Sequence, residues 1–244
     1  MKTLVKEKTR YYLTCERDWV YFTLIAVGGF WGAYTYLLRG GVFCNAQTGN
    51  VLLMGLALGA AEWKEAVYYL IPISAYTLGA FVSEILPNPI KHRLAIRWDT
   101  LLILIEAAAV LVIGLIPASA PVQIAQVMIN FLASMQYNTF RQAQGVAVAT
   151  TFVTNHIRQI GVGLAKAFHH RHSADKSHRM RLSKHSLMLL FFAVGIVVGT
   201  LFCNLLGERA IWMTILPLGV IFTALLHADL TTEKDLVEQK PAGH

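Results

Sequence analysis

Apolar blocks dominate this chain, at residues 19–38, 48–61, 66–86, 100–116, 122–140, 150–168, 185–206 and 210–226. Six of them have about the length needed to cross roughly 30 Å of hydrocarbon at about 1.5 Å of helix rise per residue. The block at 48–61 is short, and the block at 150–168 opens on polar residues. Only 14% of the 244 residues are charged and 55% are hydrophobic, whereas a soluble domain is nearer about a quarter charged. The expectation is an all-α, polytopic membrane protein with seven or eight transmembrane segments. A basic tail at 1–18 precedes a single membrane domain at 19–228, and a polar tail at 229–244 follows it. A soluble enzyme, a secreted disulfide scaffold and a disordered chain are excluded. Cys15, Cys44 and Cys203 are odd in number and far apart, so no disulfide or metal framework is implied. The N-terminus lacks the short apolar run and small-residue cleavage site of a signal peptide, so the first block reads as a retained helix.

Placement of charge matters more than the net charge of +7. Five Lys/Arg fall in 1–18, six fall in 166–184 together with four histidines, and Lys91, Arg93 and Arg97 lie close together. No nucleic-acid module accompanies them, so they read as orientation signals and headgroup contacts. If every block crosses, a cytoplasmic N-terminus leaves 14 Lys/Arg inside and six outside. The 91–97 loop then lands outside, against the rule. If the short second block is a re-entrant half-helix, everything after it inverts and that loop returns inside.

The halves resemble one another. Residues 48–58 (TGNVLLMGLAL) align with 154–164 (TNHIRQIGVGL), and 79–86 (GAFVSEIL) with 199–206 (GTLFCNLL). These matches define two units, 19–117 and 121–228, and an even number of crossings per unit would make them parallel. In each unit a full-length helix meets a polar break, at 44–50 and at 150–156, before a helix opening on Thr48 or Thr154. Loose backbone at membrane depth survives only packed in protein or lining a cavity, and paired interruptions point to a transport site. Thr48 and Thr154 read as N-caps whose positive helix ends would suit an anion or a carboxylate.

The runs Gly28-Gly29-Phe30 and Gly40-Gly41-Val42-Phe43-Cys44-Asn45-Ala46-Gln47-Thr48-Gly49-Asn50 resemble the first signature of the YoaK family of bacterial membrane proteins, also called DUF1275 or UPF0700. Met135-Gln136-Tyr137-Asn138 and Ala149-Thr150-Thr151-Phe152-Val153-Thr154 resemble its second. The resemblance covers about residues 20–228. It implies a multi-pass protein of the bacterial inner membrane and names no substrate. Members commonly carry an acidic residue where this chain has Gly32, and a glycine where it has Asn155.

The polar residues supply the candidate site. Asn45, Gln47, Thr48, Asn50, Gln136, Asn138, Arg141, Thr151, Thr154, Asn155 and Arg158 are the substrate-contact candidates, with interhelical hydrogen bonding as the bland alternative. Glu106, in mid-block, and His156 are the proton-coupling candidates, against a structural ion pair and a packing histidine. Glu84 reads as an interfacial acid, and Arg39 as an anchor as readily as a ligand. The histidines at 169, 170, 172, 178 and 185 read as a solvated basic loop. No catalytic motif appears, so no enzyme activity, cofactor or metal is expected. The expected function is transport of a small anion, with proton coupling as an option and a non-transporting scaffold or partner subunit as the alternative. The expected partners are the lipid bilayer and the transported molecule; no nucleic acid is expected, and assembly into a homo-oligomer is left open.

Overall fold

The computed structural model describes residues 12–87, 95–169, 176–237, 239 and 241, so Lys91 and Arg93 of the basic loop and His170 and His172 lie outside the described residues. The fold is all-helical: α1 (Asp18–Leu38), α2 (Gln47–Gly59), α3 (Trp63–Ile85), α4 (Trp98–Ile113), α5 (Val122–Thr139), α6 (Thr154–His169), α7 (Lys176–Leu206) and α8 (Ile215–Leu230). A two-residue hairpin pairs Gln142–Ala143 with Val146–Ala147, and a 3-10 segment, Gly207–Thr214, leads into α8. Two expected blocks begin earlier than their α-helices. Residues 150–153 belong to the break before α6, and 210–214 to the 3-10 segment.

Hydrogen bonds fix which helix ends lie together. At one end, called proximal here, Arg97 pairs with Asp229 at 3.0 Å and with Glu233, whose carboxylate also accepts from Thr14 Oγ1 at 2.8 Å. Trp98 Nε1 donates to Thr139 Oγ1 at 2.9 Å, Lys184 meets Asp18 at 2.5 Å, and Arg141 meets Glu84 at 2.9 Å. At the opposite, distal end Arg39 donates to Tyr34 OH and to the Ile116 carbonyl, and Gln126 donates to the Arg39 carbonyl. Tyr68 donates to the Gly40 carbonyl there, and Tyr34 to the Glu208 carbonyl. Gly40, at φ +81°, makes the left-handed turn that ends α1.

Accordingly α1, α4 and α7 run from proximal to distal, and α3, α5 and α8 run back. The helices α2 and α6 do not traverse the bundle. After α1 the chain doubles back, and Asn45 donates to the carbonyl of Gly28, midway along α1, at 3.0 Å. From that depth α2 returns to the distal end, where α3 starts; its 13 residues span about 20 Å. The second break reaches the same depth. The Thr150 carbonyl lies 2.7 Å from where a Cβ on Gly28 would stand. From there α6 runs to the proximal end, its Gly163 beside Leu182 of α7. Arg97 lies at the same end of the bundle as residues 14–18. α1 and α5, the first helices of the two stretches aligned in sequence, run in opposite directions through it.

Close helix approach holds the bundle. A Cβ on Gly195 of α7 would stand 2.0 Å from the Ala26 carbonyl of α1, and one on Gly79 of α3 2.3 Å from the Phe131 carbonyl of α5. Only glycine permits such contacts. Among the described residues, three stretches are long and apolar enough to cross a membrane: Asp18–Leu38, Trp63–Ile85 and one within His178–Leu230. Large apolar side chains such as Leu52, Leu56, Phe81, Leu115, Leu205 and Leu216 face outward. The expected polar tail is anchored from its first residue, because Asp229 and Glu233 are buried against Arg97.

Candidate functional site

The two breaks meet at half depth against α1, and the candidate residues divide by what they touch there. A cavity of about 370 Å³ lies between the breaks. Its wall takes Phe43, Asn45 and Ala46 from the first, Phe152, Val153 and Thr154 from the second, Gly32, Ala33, Tyr36 and Leu37 from α1, and Phe192, Ile196 and Thr200 from α7. The starts of α2 and α6 therefore face one space, which is mostly apolar and carries Tyr36, Asn45, Thr154 and Thr200 as its side chains with polar groups. The expected N-caps shift by a residue or more. Thr48 lies inside the first turn of α2, whose N-cap is Ala46 with no side-chain cap bond. Thr154 is itself the first residue of α6, and the Ile157 amide donates to the Val153 carbonyl.

A second cavity, of about 630 Å³, lies on the proximal side and is lined by Tyr137, Asn138, Arg141, Ala147, Val148, Ala149, Phe152 and Asn155. It is the more polar of the two. Arg141 is held by Glu84 and by the Asn138 carbonyl, 2.6 Å away. Arg158 donates to Asn155 Oδ1 at 3.0 Å and is otherwise exposed, so it reaches the second cavity through Asn155. Among the described residues Phe152 alone lines both cavities.

Gln47, Asn50, Gln136 and Thr151 line neither cavity. Asn50 is fully buried and clips the first break. Its Oδ1 accepts from the Phe43 amide at 3.0 Å, while its Nδ2 donates to the Phe43 carbonyl at 2.7 Å and to Gln47 Oε1 at 2.9 Å. Gln47 in turn donates to Asn130 on α5 at 2.9 Å. Gln136 Nε2 donates to the Leu24 carbonyl at 3.3 Å, and Thr151 is buried in the second break. Asn50 and Gln47 hold the first break in shape, and Gln136 ties α5 to α1. Sequence marks them as polar but carries no sign of which way they face.

The two proton-coupling candidates lie apart. Glu106 sits on the buried stripe of α4, with Leu102, Ile103 and Val110, and neither carboxyl oxygen has a hydrogen-bond partner among the described residues. The arginines and His156 make their hydrogen bonds elsewhere. His156 instead contacts His185 of α7, Nδ1 to Nδ1 at 2.8 Å, and its Nε2 lies 2.9 Å from the Ala149 carbonyl. The Ala149 amide also lies 3.4 Å from Nε2, and which ring of the pair donates is set by the tautomer. The sequence placed His185 in a solvated loop; it is buried, and its proximity to His156 is the part of this site that sequence missed. Arg39 is fully buried in the distal bonds already described, which makes it a structural anchor.

Gly32 and Asn155, the positions that depart from the resembled pattern, lie on the walls of the first and second cavity. No curated protein and no solved structure matches the chain. Over residues 20–224, however, it matches the model of a protein family of unknown function, DUF1275, and the chain belongs to that family.

Proposed function

We propose that the protein is a multi-pass membrane transporter for a small molecule, which it binds between α2 and α6 at half depth. The cavity of about 370 Å³ between the two helix starts carries this reading. Its size falls in the range of about 300–1,000 Å³ that suits small ligands. The first amides of each helix have no partner within the helix, and the dipoles add positive potential there. Phe43, Phe192 and Ile196 supply an apolar wall. A small carboxylate with an apolar body fits both features better than a bare inorganic anion, because the arginines of this region belong to the second cavity or to the distal end.

In this reading six helices cross the membrane and α2 and α6 enter from opposite sides and return. Three crossings per unit make the halves inverted repeats, the arrangement that gives a midplane site two related access routes. The packing supports the pairing: α1 lies along α7 as α3 lies along α5, and α2 packs on α3 as α6 packs on α7. Orientation follows from the basic residues. With six crossings, the only Lys/Arg in the distal connections are Arg39, Lys64 and Arg209, so the proximal end and both termini face the cytoplasm of a bacterial inner membrane. The His156–His185 pair, joined to the second break through Ala149, is the better-placed proton carrier; Glu106 touches neither cavity.

The test is ligand-induced stabilisation of purified protein by a panel of small carboxylates and inorganic anions. A ligand at about 100 times its Kd adds about 2.7 kcal/mol. At least one carboxylate should stabilise the protein and lose its effect in Thr154→Phe, which fills the cavity. Stabilisation that survives Thr154→Phe contradicts the site. The internal bracing of the first break favours the alternative, a non-transporting scaffold or partner subunit, and a panel without any stabilising ligand supports it.

A further inference from the structure

We propose that Phe152 is the partition of the transport path, a side chain that separates a proximal vestibule from a distal one and must move for a solute to pass. The inference rests on the transport reading and adds its gate. Among the described residues the two cavities share Phe152 and no other. They lie toward different ends. The larger is lined by the last turn of α5 and by Arg141, whose partner Glu84 is exposed at the proximal surface. The smaller is lined by Tyr36 and Leu37 in the last turn of α1, both about half exposed near the distal end, and by Thr200 of α7.

Phe152 suits the role chemically. It lies in the extended stretch between the hairpin and α6, where no helix hydrogen bonds fix the backbone, and it is only partly buried. Its ring rests against Tyr137 at 4.9 Å between centroids, with the planes tilted by 56°. An aromatic side chain across a narrow passage excludes water and ions, because a polar solute beside it loses hydration without gaining a partner. The vestibules differ in kind. The proximal one offers Asn138, Arg141 and Asn155, and the distal one is mainly apolar. A solute with a charged head and an apolar body would find its head matched on one side of the ring and its body on the other.

Thiol accessibility tests this without knowledge of the substrate. In a background with Cys15, Cys44 and Cys203 replaced by alanine, Ala147→Cys reports the proximal vestibule and Thr200→Cys the distal one. Protein in sealed vesicles of each orientation is treated with the membrane-impermeant cation MTSET. Ala147→Cys should react only from the proximal side and Thr200→Cys only from the distal side. Adding Phe152→Ala should make each react from both sides, at least tenfold faster than before from the formerly closed side. Unchanged sidedness with Phe152→Ala overturns the proposal, and so does a Thr200→Cys that reacts from neither side or from both in the presence of Phe152. If Phe152→Ala does not fold, Phe152→Leu and Tyr137→Ala thin the same partition and are held to the same outcome. Correct sidedness in a protein that no carboxylate stabilises would leave the partition standing and remove the binding site assigned between α2 and α6.

Discussion

Replacing Asn50 by alanine should cost the protein its first break rather than a ligand contact. The side chain makes three hydrogen bonds from a fully buried position, accepting from the Phe43 amide and donating to the Phe43 carbonyl and to Gln47 Oε1. Hydrogen bonds among membrane helices average about 0.6 kcal/mol each, with a maximum near 1.7 kcal/mol. Three of them sum to about 2–5 kcal/mol, and the Phe43 amide is left buried without its acceptor. For a chain of this size each kcal/mol moves the midpoint by about 2–4 °C, so the midpoint of thermal unfolding in detergent should fall by about 4–20 °C. Asn50→Asp should do no better. It still accepts from the amide but cannot donate, and it turns an oxygen toward the Phe43 carbonyl and Gln47 Oε1. A midpoint within 2 °C of the parent for both variants would refute the bracing role and return Asn50 to the substrate-contact candidates.

Further outcomes follow from the same geometry. Gly195→Ala forces a Cβ onto the Ala26 carbonyl and should destabilise by about 1–3 kcal/mol or more, whereas Gly161→Ala, with nothing within 4 Å, should be neutral; thermal unfolding separates them. Arg97→Ala leaves Asp229 and Glu233 buried without their cation, at about 3–5 kcal/mol, and should release the C-terminal segment to limited proteolysis. Cys15 should resist maleimide at pH 8 until the protein unfolds, because burial, reinforced by the Asp99 carboxylate, pushes its thiol well above the ordinary value. His185→Ala removes the hydrogen-bond partner of His156 Nδ1 and should cost about 1–3 kcal/mol, read by thermal unfolding.

Sequence located the helices well because apolar blocks of crossing length have few other uses. It could not say which blocks cross. Residues 48–61 read as one more apolar block, but in the fold α2 starts at half depth, where Asn45 reaches back to Gly28, a contact across 17 positions. The basic loop at 91–97 carried the warning, since it violated the charge rule only if every block crossed. At the site, sequence found the two breaks through their internal similarity, and the structure brings Asn45 and Thr154 to one cavity and Asn138, Arg141 and Asn155 to the other. Gln47, Asn50 and Gln136 were indistinguishable from them by residue type. His185 was hidden by its neighbours, because a histidine at the margin of a basic loop gives no hint that a helix turns it inward onto His156.

Inverted halves with two re-entrant helices are the central claim, and the sidedness of the connections tests it most directly. Single cysteines placed at Ala61, at Lys91 and at Ser119 in the same cysteine-free background, labelled with an impermeant maleimide in sealed vesicles, report three connections. The account requires Ala61 and Ser119 on one side and Lys91 on the other, shared with the N-terminus. Lys91 and the N-terminus on opposite sides of the membrane would mean that α2 crosses, and would contradict the inverted arrangement.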